Sequence, residues 1–279
     1  MHLVIQGAVL ADDDLRQLAQ LAGAERIERL GPGACRLIGA QERPGIAEYC
    51  ARARLDFGFV PENRKLADMG LLAIDMDSTL IAIECIDEIA DMAGVKAEVS
   101  AITAAAMAGK LDYAKSLQRR IGLLRGLDQG ALARVYLERL RLSPGAETML
   151  AAMQRAGVKT LLVSGGFSFF TERLKTRLGL DYSISNVLDI EDGRLTGRVI
   201  GGIVDAETKA AKLRSVRDEL GLATGRVIAI GDGANDLAMM AEAGVSIAYR
   251  AKPVARGKAD YTLDYVGLDG VLNLFATAN

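Results

Sequence analysis

The chain has 279 residues, half of them apolar and a quarter charged, with a formal net charge of −2. This is more than one domain usually needs, and the balance of apolar and charged residues excludes a disordered chain. Near-neutrality without a basic stripe excludes a general nucleic-acid or anionic-membrane partner, which leaves a small molecule as the expected ligand.

At the amino terminus, Met1-His2-Leu3 lacks the cationic start of a secretory signal, and no apolar run anywhere reaches the ~18 residues that span a bilayer. The chain reads as cytoplasmic. His2 is its only histidine, so a serine-hydrolase triad and most zinc chemistry are excluded and carboxylates become the candidates. Strand-like runs at Leu3–Ile5, Arg26–Leu30, Cys35–Ile38 and Phe57–Val60 alternate with helical stretches after Asp12-Asp13-Asp14 and over Ile46–Ala53. This βαββαβ order is ferredoxin-like. The acidic triplet suits a helix N-terminus, where carboxylates complement the dipole. Cys35, Cys50 and Cys85 are odd in number and widely spaced, and read as reduced packing residues.

Beyond a polar stretch, Leu71–Ile74 is a continuous apolar run, as in a strand buried on both faces of a parallel sheet. Leu161–Val163 and Val227–Ile230 read alike, and each is followed by a helical pattern, which predicts an α/β doubly wound parallel-sheet core with ligands beyond the strand ends. Residues 84–140 are helical only, with breaks near Gly94, Gly109 and Gly126, and would form a cap over those ends. Asp192-Gly193 marks a hairpin within Ile184–Ile200. The predicted domains are 1–65, a small N-terminal ferredoxin-like unit; 70–83 with 141–279, the core; and 84–140, the cap.

Polar clusters close all three core runs. In Asp75-Met76-Asp77-Ser78-Thr79, two carboxylates can approach one ligand if the chain curls, and close like charges favour a cation. A calcium loop is excluded because Leu80 stands where that loop needs glycine. Ser164-Gly165-Gly166 offers a hydroxyl and N–H groups for a phosphate. In Gly231-Asp232-Gly233-Ala234-Asn235-Asp236 the added carboxylates would repel a pyrophosphate, so metal suits it better than a dinucleotide. Asp232 can join Asp75 and a backbone carbonyl around Mg²⁺, a cation that prefers oxygen ligands. Asp236 either joins them or supports the ligands from behind at the start of a helix.

With Glu84-Cys85-Ile86-Asp87-Glu88, Ser116-Leu117, Arg120 and Phe167 added in that order, residues from about 70 to about 265 resemble the haloacid dehalogenase superfamily and, within it, the phosphoserine phosphatase family. The resemblance implies Mg²⁺ held by Asp75, Asp77 and Asp232, with O-phospho-L-serine as the substrate. It implies that Asp75 attacks phosphorus to form an aspartyl-phosphate, and that Asp77 protonates the departing serine oxygen and later deprotonates water. Lys209, in Glu207-Thr208-Lys209, is the implied charge-neutralising lysine, with Lys212 a nearby competitor. Ser164, Gly165 and Asn235 fall among the implied substrate contacts. Glu84 and Arg120 match the groups for the substrate ammonium and carboxylate. Arg120 has independent support, since helical periodicity puts it beside Leu117 and Leu124 while Arg119 points away.

Tyr113 departs from the family's phenylalanine, and Gln118-Arg119 from its more basic residues. The first 60 residues resemble an ACT-type regulatory module by element order, which implies a homodimer or amino-acid sensing. Two rival readings pass the phosphoryl group to an alcohol such as homoserine, or make the chain a sensor with an inactive core.

Overall fold

The computed structural model describes residues 1–107 and 110–276. Its first sheet holds β1 (His2–Gln6), β2 (Arg26–Gly31), β3 (Ala34–Ile38) and β4 (Asp56–Val60), with α1 (Asp12–Ala22) and α2 (Ile46–Ala53) packed against the face that carries Leu3, Ile5, Cys35 and Leu37. All pairings are antiparallel, in the order β2-β3-β1-β4, so the ferredoxin-like expectation holds. The acidic triplet forms the first turn of α1, and Leu15, Leu18 and Ala22 of that helix face inward at helical spacing.

The second sheet holds β5 (Leu71–Asp75), β6 (Lys159–Phe167), β7 (Tyr182–Glu191), β8 (Arg194–Ile200), β9 (Val227–Gly231), β10 (Val245–Tyr249) and β11 (Tyr261–Leu263). They run β11-β10-β9-β5-β6-β7-β8, parallel except at β7 and β8. Every residue of β5 and β9 is buried, the physical counterpart of their unbroken apolar runs. Chain order reverses at β5, which lies between β6 and β9, so the three polar clusters open side by side. Two strands go beyond the expectation: β10, whose apolar run is interrupted by Ser246, and β11, which has only three residues. The Ser164-Gly165-Gly166 cluster also differs from the simple loop expected before a helix. It is a bulged continuation of β6, and the next helix starts only at Ser168.

The helical insertion comprises α3 (Cys85–Ala93), α4 (Lys96–Met107), α5 (Tyr113–Gly122) and α6 (Gly130–Arg134), which runs into a wider turn over Val135–Arg139. Gly94 and Gly126 break it in left-handed conformations, while the expected break at Gly109 lies outside the described residues. The β7–β8 hairpin props this insertion: Gly126 N–H donates to Leu195 O at 2.8 Å, and Leu195 N–H donates to Leu127 O at 2.9 Å. Returning to the core, the chain forms α7 (Ala146–Arg155), α8 (Ser168–Leu178) and α9 (Ala206–Glu219).

Buried polar groups tie the first sheet to the second. Asp56 accepts backbone N–H bonds from Asp264, Tyr265 and Val266 at 2.8, 2.9 and 3.1 Å, and Arg36 donates to Phe275 O at 2.6 Å. Such groups are costly to strip of partners, so the two sheets resist separation. Among the described residues, no helix is long and apolar enough to cross a membrane.

Candidate active site

β5 delivers Asp75 to the end of the sheet, and the chain then curls over Met76–Leu80 with Ser78 in a left-handed conformation at φ 55°. Ser78 N–H donates to Ile83 O at 3.1 Å and Ile81 N–H to Met76 O at 3.0 Å. This curl turns Asp75 and Asp77 into one space. Asp77 Oδ1 accepts the Cys85 N–H at 2.8 Å, and its Oδ2 accepts the Ser164 hydroxyl at 3.4 Å. The same hydroxyl oxygen accepts Gly166 N–H at 2.8 Å. Three separate stretches therefore meet at Asp77.

Lys209 enters from the first turn of α9, where the Asp205 carboxylate caps the helix by accepting Thr208 N–H at 2.9 Å. Its ammonium is 1% exposed and donates to Asp75 Oδ1 at 2.5 Å and Asp236 Oδ1 at 2.8 Å. Lys212, the competitor, is half-buried and contributes to neither pair. Asp236 Oδ2 in turn accepts the N–H groups of Asp232 and Gly233, each at 3.1 Å. Asp236 is thus held at both oxygens by protein donors, whereas Asp75 offers a second oxygen to a ligand.

Carboxylate oxygens of Asp75, Asp232 and Asp236 lie within 4.8 Å of one another, and all three residues are buried. Burial, followed by repulsion from Asp236, raises the pKa of Asp75 well above the usual carboxylate value, and Lys209 only partly offsets this. Burial likewise raises Asp77 and Asp232. Burial pulls Lys209 down, but Asp236 and Asp75 outweigh it and hold the ammonium above its ordinary value. Four carboxylates, Asp75, Asp77, Asp232 and Asp236, thus face two ammonium groups, Lys209 and Lys252. An all-oxygen donor set with surplus negative charge fits a hard divalent cation.

At the mouth, Glu84 Oε1 accepts the Ser78 hydroxyl at 2.7 Å, and burial followed by the Asp77 charge pushes Glu84 up to about 7. Arg120 is half-buried on α5 and Arg119 exposed, as periodicity requires. Arg120 Nε donates to Ser116 O at 3.4 Å, and among the described residues its guanidinium has no carboxylate partner. Tyr113, one face with Arg120, reaches across from the insertion to donate to Gly165 O at 3.4 Å. Asn235 is half-buried between Asp232 and Asp236 in sequence.

Two residues enter that sequence reasoning missed. Asn186, 1% exposed, donates from Nδ2 to Gly165 O at 2.8 Å and accepts Val204 N–H at 2.9 Å, fixing the glycine turn. Lys252 pairs with Asp232 Oδ2 at 3.1 Å. Neither had a local signal, since a lone asparagine in a strand and a lysine before proline are ordinary surface choices.

The match to a family model described as haloacid dehalogenase-like hydrolase covers residues 72–241. Residues 3–46 match a model described only as a domain of unknown function. A phosphoserine phosphatase from a Polaromonas species is 53% identical over 215 residues, 75% of this chain and 91% of that protein. A probable phosphoserine phosphatase from Vibrio cholerae, solved unliganded, superposes with a TM-score of 0.86 at 35% identity over 98% of this chain and 85% of that one. A phosphoserine phosphatase solved as a phospho-aspartyl intermediate analogue has a TM-score of 0.70 at 38% identity, over 75% of this chain and 99% of that one. With catalytic-type residues brought together at the switch point of a parallel sheet and relatives this close, the chain belongs to the haloacid dehalogenase-like hydrolase family, in its phosphoserine phosphatase branch.

Proposed function

We propose that this enzyme hydrolyses O-phospho-L-serine to L-serine and phosphate, using Mg²⁺ and a covalent aspartyl-phosphate on Asp75. The observation that carries this reading is the asymmetric environment of Asp75, whose Oδ1 is held by the buried Lys209 while its other oxygen has no protein donor among the described residues and its carboxylate lies within 4.8 Å of those of Asp232 and Asp236.

In the first displacement, Asp75 attacks phosphorus, the bond from phosphorus to the serine oxygen breaks, and Asp77 gives that oxygen a proton. A serine alkoxide is a poor leaving group, so the acid is needed, and burial moves Asp77 above the usual carboxylate value, the direction that suits an acid. In the second, Asp77 takes a proton from water, the oxygen attacks phosphorus, and the bond to Asp75 breaks. Lys209 neutralises charge gathering on the phosphoryl oxygens and holds Asp75 in place. Ser164 and Gly165 hold the phosphoryl group, with Asn235 nearby, and Asn186 keeps Gly165 in position. Mg²⁺ would be held by Asp75, Asp232 and Asp77, the last through its backbone carbonyl because Cys85 and Ser164 engage its carboxylate. When bound, it supplies charge neutralisation at the transferring group. Asp236 acts behind these ligands by holding Lys209 and the Asp232 backbone.

Glu84 and Arg120 are proposed to grip the substrate ammonium and carboxylate. The chain divides functionally into an amino-terminal unit at 1–65, a core at 70–83 and 141–279, and a cap at 84–140, works in the cytoplasm, and associates through its first unit.

Purified protein with Mg²⁺, assayed against phosphoserine and a panel of phosphosugars, tests the reading; faster turnover of a phosphosugar would reject it. In the same panel, Arg120→Ala should lower kcat/KM for phosphoserine about 100-fold, the worth of a hydrogen-bonded ion pair, and barely change an aryl phosphate. Equal losses on both would remove Arg120 from substrate recognition.

Glu84 sets a pH dependence. Its pKa lies near 7, above that of a free glutamate, so the carboxylate that attracts an ammonium is present only above that pH and is lost as pH falls. For phosphoserine, kcat/KM should climb through about pH 7. Glu84→Gln should remove this limb, and a phosphomonoester without an ammonium should lack it. A limb that persists unchanged in Glu84→Gln assigns the titration to another group.

A further inference from the structure

The two lysines of the site are placed very differently. Lys209 lies inside with 1% exposure and is shared by Asp75 and Asp236, so it cannot leave without stranding two buried carboxylates. Lys252 serves the third carboxylate of the cluster, Asp232, from the open side, and its side chain is 46% exposed against 8% for Asp232. Its backbone N–H donates to Asp232 O at 2.8 Å, which pins the lysine Cα beside the acidic turn while four methylenes leave the ammonium free to swing. Glu84 and Lys252 attract each other, so Glu84 adds to the pull of Asp232 on the ammonium.

We propose that Lys252 is an exchangeable counter-ion: its ammonium occupies the open side of the carboxylate cluster when no metal is bound, gives way when a divalent cation enters, and then pairs with the anionic substrate. This rests on the reading of Asp75 and Asp232 as metal ligands. The physical reason is charge. A monovalent cation held 3.1 Å from a ligand carboxylate both competes for that carboxylate and repels an incoming divalent ion. Once that ion is bound, the same ammonium stands beside the place where a phosphate or substrate carboxylate arrives, and moving it costs little because it is already half in water.

The experiment uses calorimetry on the metal-free full chain as wild type, Lys252→Met and Lys252→Arg, titrated with Mg²⁺ and then, metal-loaded, with inorganic phosphate. Lys252→Met should bind Mg²⁺ about tenfold more tightly than wild type, by a margin that shrinks as salt is raised. Its metal-loaded form should bind phosphate several-fold more weakly. Lys252→Arg, which keeps the charge, should stay near wild type in both. Equal or weaker Mg²⁺ binding by Lys252→Met would overturn the proposal and make the lysine a fixed support of Asp232. Absence of Mg²⁺ binding in all three proteins would overturn it together with the metal-site reading. Matching thermal melts in chelator would show that the variants are equally folded.

Discussion

Asp75→Asn should reduce turnover of phosphoserine by about 10⁵-fold or more, the scale seen when a covalent nucleophile is removed. The amide keeps the shape of the carboxylate and can still accept from Lys209, so the loss would report chemistry rather than packing. An amide oxygen is a far weaker nucleophile and cannot carry the phosphoryl group through an acyl-phosphate. Rapid quench with labelled substrate should give an acid-stable, base-labile phosphoprotein in the wild type and none in the variant. More than about 1% residual turnover would exclude covalent catalysis by Asp75, since the remaining binding groups cannot sustain that rate alone. Under the rival reading of a sensor with an inactive core, the wild type itself would show neither turnover nor label.

Lys209→Met should have the second largest effect, on two independent measurements. The substitution leaves Asp75 and Asp236 buried without the cation they share. Breaking a buried pair from one side costs about 3–5 kcal/mol, so the metal-free protein should melt well below wild type. The loss must depend on pH. Without Lys209 the pKa of Asp75, already raised by burial, rises further above the unfolded value, the folded state binds more protons than the unfolded one, and stability is regained as pH falls and lost as it rises. Melts in chelator should show a defect at about pH 8 that shrinks toward about pH 5, with Mg²⁺ restoring part of it at the higher pH. A defect of equal size at both would mean that the lysine acts through packing alone. Turnover should fall by about 10²–10³, as for loss of one group aimed at developing negative charge.

The parts of this protein that were legible before folding are those whose signal is local. The apolar runs Leu71–Ile74, Leu161–Val163 and Val227–Ile230 read as buried strands because no polar residue interrupts them, and the structure buries all of them. Asp75, Asp77, Ser164 and Asp232 stood out because polar and charged groups at the end of such a run need a partner. Arg120 was separable from Arg119 by helical periodicity, which places one at the apolar edge and the other in solvent. Strand β10 escaped because Ser246 interrupts its apolar run, and β11 because it has only three residues. On spacing alone Lys209 was an ordinary helix-surface residue beside Lys212, and only the family resemblance set it apart; its burial at the start of α9 against Asp75, 134 residues away, had no local signal.

The sequence by itself determined the class of fold, the strand ends where chemistry collects, and the carboxylate character of that chemistry, since each follows from composition or from neighbours in the chain. Only the tertiary structure decided the order of strands around β5, the sharing of Lys209 between Asp75 and Asp236, the hold of Asn186 on Gly165, and the placing of Lys252 over Asp232. The reason is physical: a charge becomes catalytic through the distance and dielectric around it, and both are set by residues far away along the chain that meet only when the sheet forms.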